Sequence, residues 1–238
     1  MKIITQDFQN DKVVSTSIRG FFKKYRISTL LRESNAYKSK GIPVIAIFQY
    51  LFMLVFTNRS MYMNILMGTH TVNFAKDTVY RFMNSVHINW IRFTTLLSTL
   101  IATKTITELT DENRINVLIL DDTQFERPGA KKVELLAKTY DHAKKAYKNG
   151  FRLLTLGWSD GNTFLPVNGC LLSTENKKNR INEAAIVDKR TAGFKRRRLA
   201  QTKGTAVALE LIKAAKQALI PATHVLFDTW FCFPASLA

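Results

Sequence analysis

Two short apolar runs, each ending in aspartate, constrain this chain more than any other feature. The first is Val117-Leu118-Ile119-Leu120-Asp121-Asp122-Thr123 and the second is His224-Val225-Leu226-Phe227-Asp228-Thr229-Trp230-Phe231. A short apolar run closed by polar residues predicts a buried strand. Each strand delivers a carboxylate to the edge of a sheet, where the group has lost most of its water and needs a cation. An aspartate at a strand end, taken alone, is more often a turn former than a ligand. Two of them on neighbouring strands make a divalent-metal site.

The order of elements around these runs decides whether they can be neighbours. Beyond Asp111-Glu112-Asn113 the apolar runs are short and flanked by turn residues, which predicts strands over 117–122, 151–158, 163–172 and 225–228. Ser159-Asp160-Gly161-Asn162 joins the second and third as a hairpin, and Pro166 interrupts the third. Residues 174–204 read as a basic loop. Residues 205–219 read as a helix with Val207, Leu211, Ala214, Ala215 and Leu219 on one face, stopped by Pro221. Three strands, a helical crossover and a fourth strand imply a mixed sheet. The crossover can set the fourth strand parallel to the first and beside it. Asp122 and Asp228 then emerge at the same end.

The first 110 residues read as helical, and the chain divides into a helical domain over 1–110 and an α/β domain over 111–238. Trp90, Phe93, Leu97, Leu100 and Ile101 repeat at helical spacing, predicting an amphipathic helix over 88–104. Asn58-Arg59-Ser60 caps a helix through Met61, Ile65 and Leu66; Gly68-Thr69-His70-Thr71 forms a turn, and a helix over 75–83 carries Lys76, Thr78, Tyr80 and Arg81. This is a weak helix-turn-helix signal, with Lys76 and Arg81 as DNA contacts. The apolar stretch 42–56 is too short for a membrane span, which needs ~20 residues, and reads as a buried helix with Pro43 in its first turn. The polar start is no signal peptide. Cys170 and Cys232 lie in apolar runs without zinc spacing, so the chain reads as reduced and cytoplasmic.

Charge names the substrate class. Lys and Arg number 35 against 18 Asp and Glu, a net charge of +17. Such a surface meets nucleic acid, through sequence-independent phosphate contacts, or an anionic membrane surface. The densest cluster is Lys195-Arg196-Arg197-Arg198, read as a phosphate-contacting part of the basic loop. Lys131, Lys132, Lys138, Lys144, Lys145 and Lys148 form a second basic stretch. Paired carboxylates on a basic chain point to metal-dependent phosphodiester chemistry on nucleic acid. Mg²⁺ or Mn²⁺ suits such a site, because a hard cation takes one or two carboxylates and fills its shell with water and phosphate oxygens. Two ions ~4 Å apart would activate the attacking oxygen and stabilise the leaving one. Asp122 would bridge both ions, with Asp228 on one.

The segments VLILDDTQFERPG, TYDHAKKAYKNGFRLLTLGWSDGNTFLPVNGCLL and HVLFDTWF resemble the catalytic domain of bacterial insertion-sequence transposases of the DDE type. The resemblance spans residues 40–238 and is strongest from Val117 onward. It implies a ribonuclease-H-like mixed sheet preceded by an all-α N-terminal domain. The first catalytic aspartate of that pattern, directly before threonine, maps to Asp122 and the second to Asp228. The third acidic residue, a glutamate on a helix far downstream, has no counterpart before Ala238, and neither has a fifth strand. The expectation is therefore a truncated transposase, inert by itself, whose relatives join two DNA ends as at least a homodimer.

The remaining candidates take supporting parts. Asp121 faces away from Asp122 on a strand and reads as a turn or as a partner behind the site. His142 reads as a loop hydrogen-bonding residue rather than a catalytic base. Trp158 and Trp230 read as core. Two rival readings stand beside transposase: a non-catalytic DNA-binding fragment or inhibitor, and a ribonuclease-H-type nuclease.

Overall fold

The computed structural model describes residues 3–56, 60–66, 73–109, 111, 113–141 and 144–231. The chain separates into two compact units, Met1–Ile88 and Asn89–Ala238.

The first unit is helical: α1 (Ile3–Lys24), α2 (Ile27–Glu33), α3 (Val44–Phe56), α4 (Met61–Leu66) and α5 (Lys76–Met83). Its buried residues include Phe22, Ile27, Leu31, Ile47, Val79 and Phe82. Phe52 of α3 stacks on Phe21 and meets Phe22 edge-on, with centroids 5.9 and 5.4 Å apart. Asn35, at φ 62°, ends α2, and the Ala36 amide donates back to the Leu31 carbonyl at 2.8 Å. This is a Schellman stop with asparagine in the left-handed position. The Ser60 hydroxyl accepts from the Met63 amide at the start of α4, while Asn58, Arg59 and the turn at 68–71 lie outside the described residues. No described helix is long and apolar enough to cross a membrane.

The second unit opens with α6 (Trp90–Ile101), which the Asn89 side chain caps by accepting from the Arg92 amide. It continues as a π-helical turn to Ile106. This helix belongs with the sheet rather than with the helices before it. Its buried stripe is Phe93, Thr95, Ser98 and Ala102; of the apolar residues its periodicity picks out only Phe93 is buried, while Trp90, Leu97, Leu100 and Ile101 are half-buried. The reason is hydrogen bonding: Ser98 donates to the Pro166 carbonyl at 2.6 Å, and the Thr95 hydroxyl accepts from Asn168 at 2.9 Å.

Five strands follow: β1 (Val117–Glu126), β2 (Ala137–Asp141), β3 (Ala146–Ser159), β4 (Phe164–Leu172) and β5 (His224–Phe227). The long β3 pairs antiparallel with β1 along one edge and with β2 and then β4 along the other. β5 lies beside β1 and parallel to it, from Val117↔His224 to Leu120↔Phe227. The mixed sheet with its flanking helices is consistent with a ribonuclease-H-like fold. Pro166 faces Gly157 where the β3–β4 register shifts. At the hairpin the buried Asp160 carboxylate accepts from the Asn162 and Thr163 amides, and Gly161 supplies the positive φ.

Four elements differ from the sequence expectation: β1 runs on to Glu126, so Asp122 lies inside the strand rather than at its end, and β3 begins at Ala146 rather than at residue 151. β2 is an additional strand. Residues 192–200, expected as loop, are a helix, α7 (Ala192–Ala200), capped by the Thr191 hydroxyl accepting from the Phe194 amide. The crossover helix α8 (Gly204–Gln217) buries Val207, Ala208, Leu211 and Ala215. It packs with Leu118, Leu120, Leu154, Leu156, Trp158 and Cys170 into the main core. Leu219 is outside that face, because α8 ends with Leu219 at φ 59° and the Ile220 amide donating to Ala215. Trp158 is fully buried, and its indole N–H donates to the Pro221 carbonyl.

Candidate active site at the ends of β1 and β5

Side chains alternate across a strand, so even-numbered β1 residues share one sheet face. Leu118 and Leu120 on that face are core residues paired with Trp158 and Leu156. The next residue on the same face is Asp122, then Gln124 and Glu126. The face turns from apolar to polar at Asp122, where the core ends and β1 continues. A carboxylate set at that boundary is half-desolvated and takes a counter-charge.

Arg152 of β3 supplies it. Its guanidinium is ion-paired to the Asp122 carboxylate, with side-chain exposures of 38% and 19%. The polar strip continues outward. Gln124 donates to the Thr139 hydroxyl. Lys144 pairs with Glu126 at 2.5 Å, and its amide donates to Asp141 at 3.0 Å. The hydrogen bond and the charge of Glu126 hold Lys144 above the ordinary lysine range.

Asp121 is exposed on the other face of β1, and one of its carboxylate oxygens accepts from the Asp122 amide at 2.8 Å. Asp228 follows the last β5 ladder pair, Leu120↔Phe227. Had the ladder continued, the Asp122 and Asp228 Cα atoms would lie about 6 Å apart, from a ~4.8 Å strand spacing and a ~3.3 Å rise. Instead a 3₁₀ turn, Thr229–Phe231, begins, which releases Asp228 from strand alternation. The exposed Asp228 carboxylate accepts from the Thr229 hydroxyl at 3.0 Å. Asp228 thus directly follows the end of β5, one residue short of the level of Asp122, which lies inside the adjacent parallel strand β1. Their oxygens suit a hard divalent cation. Among the described residues no group of three or more His, Cys, Asp or Glu is placed to hold an ion.

The basic candidates separate by environment. On α7, Lys195 and Arg198 are exposed. Arg197 is committed to Glu134, forming a bidentate pair whose second bond is 2.9 Å. Burial would raise the Glu134 carboxyl, but hydrogen bonds from Arg197 and the Ala185 amide, with the charges of Arg197 and Arg196, outweigh it and hold it below the ordinary carboxylate range. Arg196 is half-buried; burial, then repulsion from Arg197, lowers its pKa. In the first unit, Lys76 is exposed at the start of α5, and the Arg81 guanidinium donates to the Asp77 carbonyl at 3.2 Å. His142 lies outside the described residues, as do Cys232 and the side chain of Trp230.

Arg152, Glu134 and the Glu126–Lys144 pair escape a reading by motif. Arg152 left one signal: a cation inside the apolar run Phe151–Trp158 requires a buried or half-buried anion. Comparison with curated proteins and with solved structures finds no match. A family model described as DDE superfamily endonuclease matches residues 52–238, from α3 through both aspartates, and the chain belongs to that family.

Proposed function

We propose that this chain is a DNA transposase of the DDE type, with Asp122 and Asp228 as its metal-holding carboxylates. The observation that supports the proposal is the parallel β1–β5 pairing, with Asp122 inside β1 and Asp228 directly after β5, in a member of a DDE endonuclease family. Mg²⁺ or Mn²⁺ bound there would supply activation of an attacking oxygen and stabilisation of the leaving oxygen. The chain's own residues do the rest. Asp122 is fixed in mid-strand by β3 on one side. Arg152 balances its charge and can pass to a scissile phosphate when a cation takes the carboxylate. Exposed cations such as Lys195, Arg198, Lys76 and Arg81 hold the DNA backbone. Joining of two ends calls for at least two copies of the chain, and the site of action is the bacterial cytoplasm. Asp121 and His142 are assigned supporting roles.

A second reading is a DNA-binding chain that does not cut. Iron-directed backbone cleavage tests the metal site without needing turnover. Fe²⁺ with ascorbate and peroxide should cut the polypeptide near residues 122 and 228, and excess Mg²⁺ should suppress both cuts. Asp122→Asn should abolish them. Cuts elsewhere, or cuts unchanged in Asp122→Asn, reject the assignment. Metal-dependent nicking of plasmid DNA, lost in Asp228→Asn, separates transposase from the non-cutting reading.

A further inference from the structure

A cleft of 530 Å³ lies on the sheet face opposite Asp122. Its floor is Phe125, Leu153 and Leu171, all on the odd face of the register. One wall is α7, with Arg196, and the other is the segment after β1, with Arg127. Phe125 and Leu171 are 37% and 42% exposed, so the floor is open to a ligand. Three guanidiniums, Arg127, Arg196 and Arg197, line the cleft against one carboxylate, Glu134, which Arg197 already occupies.

Arg196 makes no hydrogen bond or ion pair among the described residues. A guanidinium carries five donors and no acceptor, and a partly desolvated one that shares its nearby carboxylate, Glu134, with the already paired Arg197 is costly. Burial and then the charge of Arg197 depress its pKa, and Glu134 offsets them only in part. An anionic ligand would remove that cost. Beside it, the Arg127 guanidinium lies over the Phe125 ring, 4.9 Å from the centroid, forming a flat cationic platform of the kind on which bases stack. The volume falls in the range of small-ligand sites, roughly 300–1,000 Å³, which excludes a duplex.

We propose that this cleft binds one unpaired nucleotide of the DNA substrate, with its phosphate on Arg196 and its base on the Arg127–Phe125 platform and the Leu153–Leu171 floor. The proposal rests on the DNA reading above and adds a site for an extrahelical base. An apolar acidic peptide is the competing occupant.

The test uses the full chain with two duplexes of the same sequence, one blunt and one with a short single-stranded tail carrying 2-aminopurine. The tailed duplex should bind about tenfold more tightly, the scale of one base stacked on an aromatic platform. The 2-aminopurine emission should change on binding. Arg196→Met and Leu153→Glu should each erase the preference for the tail while the blunt duplex still binds. Circular dichroism melts check folding; if Leu153→Glu does not fold, Arg196→Met decides. Equal affinity of the parent for both duplexes overturns the cleft proposal and leaves the DNA reading intact. A tail preference that survives Arg196→Met also overturns it. Failure to bind either duplex overturns both readings. Displacement of a bound acidic peptide by free nucleotide supports the proposal; peptide binding that nucleotide does not displace overturns it.

Discussion

Removing the positive charge opposite Asp122 should tighten divalent-cation binding. The perturbation is Arg152→Gln. A cation that takes up the Asp122 carboxylate has to displace the guanidinium paired with it. That pair is partly exposed, at 38% and 19%, so solvent screens it and its worth is that of a surface pair, at most ~1 kcal/mol. Deleting the competitor makes cation binding more favourable by the same amount. Since 1.4 kcal/mol corresponds to tenfold, affinity should rise by up to about fivefold. Arg152→Lys keeps the charge and should change it less. Electron paramagnetic resonance of free Mn²⁺ during titration reads the affinity directly. Asp122→Asn should remove the site in either background. Mn²⁺ affinity unchanged or weakened by Arg152→Gln, or left intact by Asp122→Asn, would refute the reasoning and return Asp122 and Arg152 to a purely structural pair.

Four further outcomes follow from the packing and the charges. Leu211→Ala, at the centre of α8, should cost ~2–5 kcal/mol in a urea titration. Lys195→Ala with Arg198→Ala should flatten log affinity for duplex DNA against log salt by about 1.8 units, two phosphate contacts rather than the four that the tetrad suggests; Arg197→Ala should instead lower thermal stability. Glu134 is held below its ordinary value of 4.5, so its contribution to stability is fully present above that pH and is lost as pH falls through the depressed value. The melting-temperature gap between the parent and Glu134→Gln should therefore be open at neutral pH and close in acid below pH 4.5. Leu219→Gly should raise stability by ~1 kcal/mol, because leucine at φ 59° carries the left-handed penalty that glycine avoids; a destabilised variant would show that the exposed side chain packs in a way its 80% exposure denies.

The sheet was legible wherever inward-facing residues are apolar. β1, β3 and β5 announce themselves through Val, Leu, Ile and Phe, and their parallel and antiparallel pairings follow from the helical crossover. β2 alternates buried and exposed residues, but the buried ones are Ala137, Thr139 and Asp141, so its period of two carries no hydrophobic signal. α7 hides for the opposite reason. Its sequence, Ala-Gly-Phe-Lys-Arg-Arg-Arg-Leu-Ala, has almost no apolar stripe, and its charge density reads as a solvated loop. Thr191 before it was the available clue, a capping hydroxyl three residues ahead of Phe194. α6 was legible as a helix but not in its orientation, because hydroxyls bonded to β4 occupy the face that periodicity assigns to Leu97 and Leu100. At the candidate site, motif residues were visible and their counter-charges were not, since Asp122 and Arg152 meet only through the strand register.

The unequal anchoring of Asp122 and Asp228 has a kinetic consequence. Asp122 stands in the interior of a ten-residue strand, paired with β3 along its whole length. Asp228 hangs from a four-residue strand that pairs with β1 alone among the described residues. Amide protons near Asp122 should exchange with solvent only through near-global opening, whereas those of β5 should exchange through a local, cheaper fluctuation. One carboxylate is then a fixed post and the other swings with the sheet margin. A ligand bridging the two would slow exchange across β5 selectively, and the rate at which the post captures its partner would be governed by fraying of that margin.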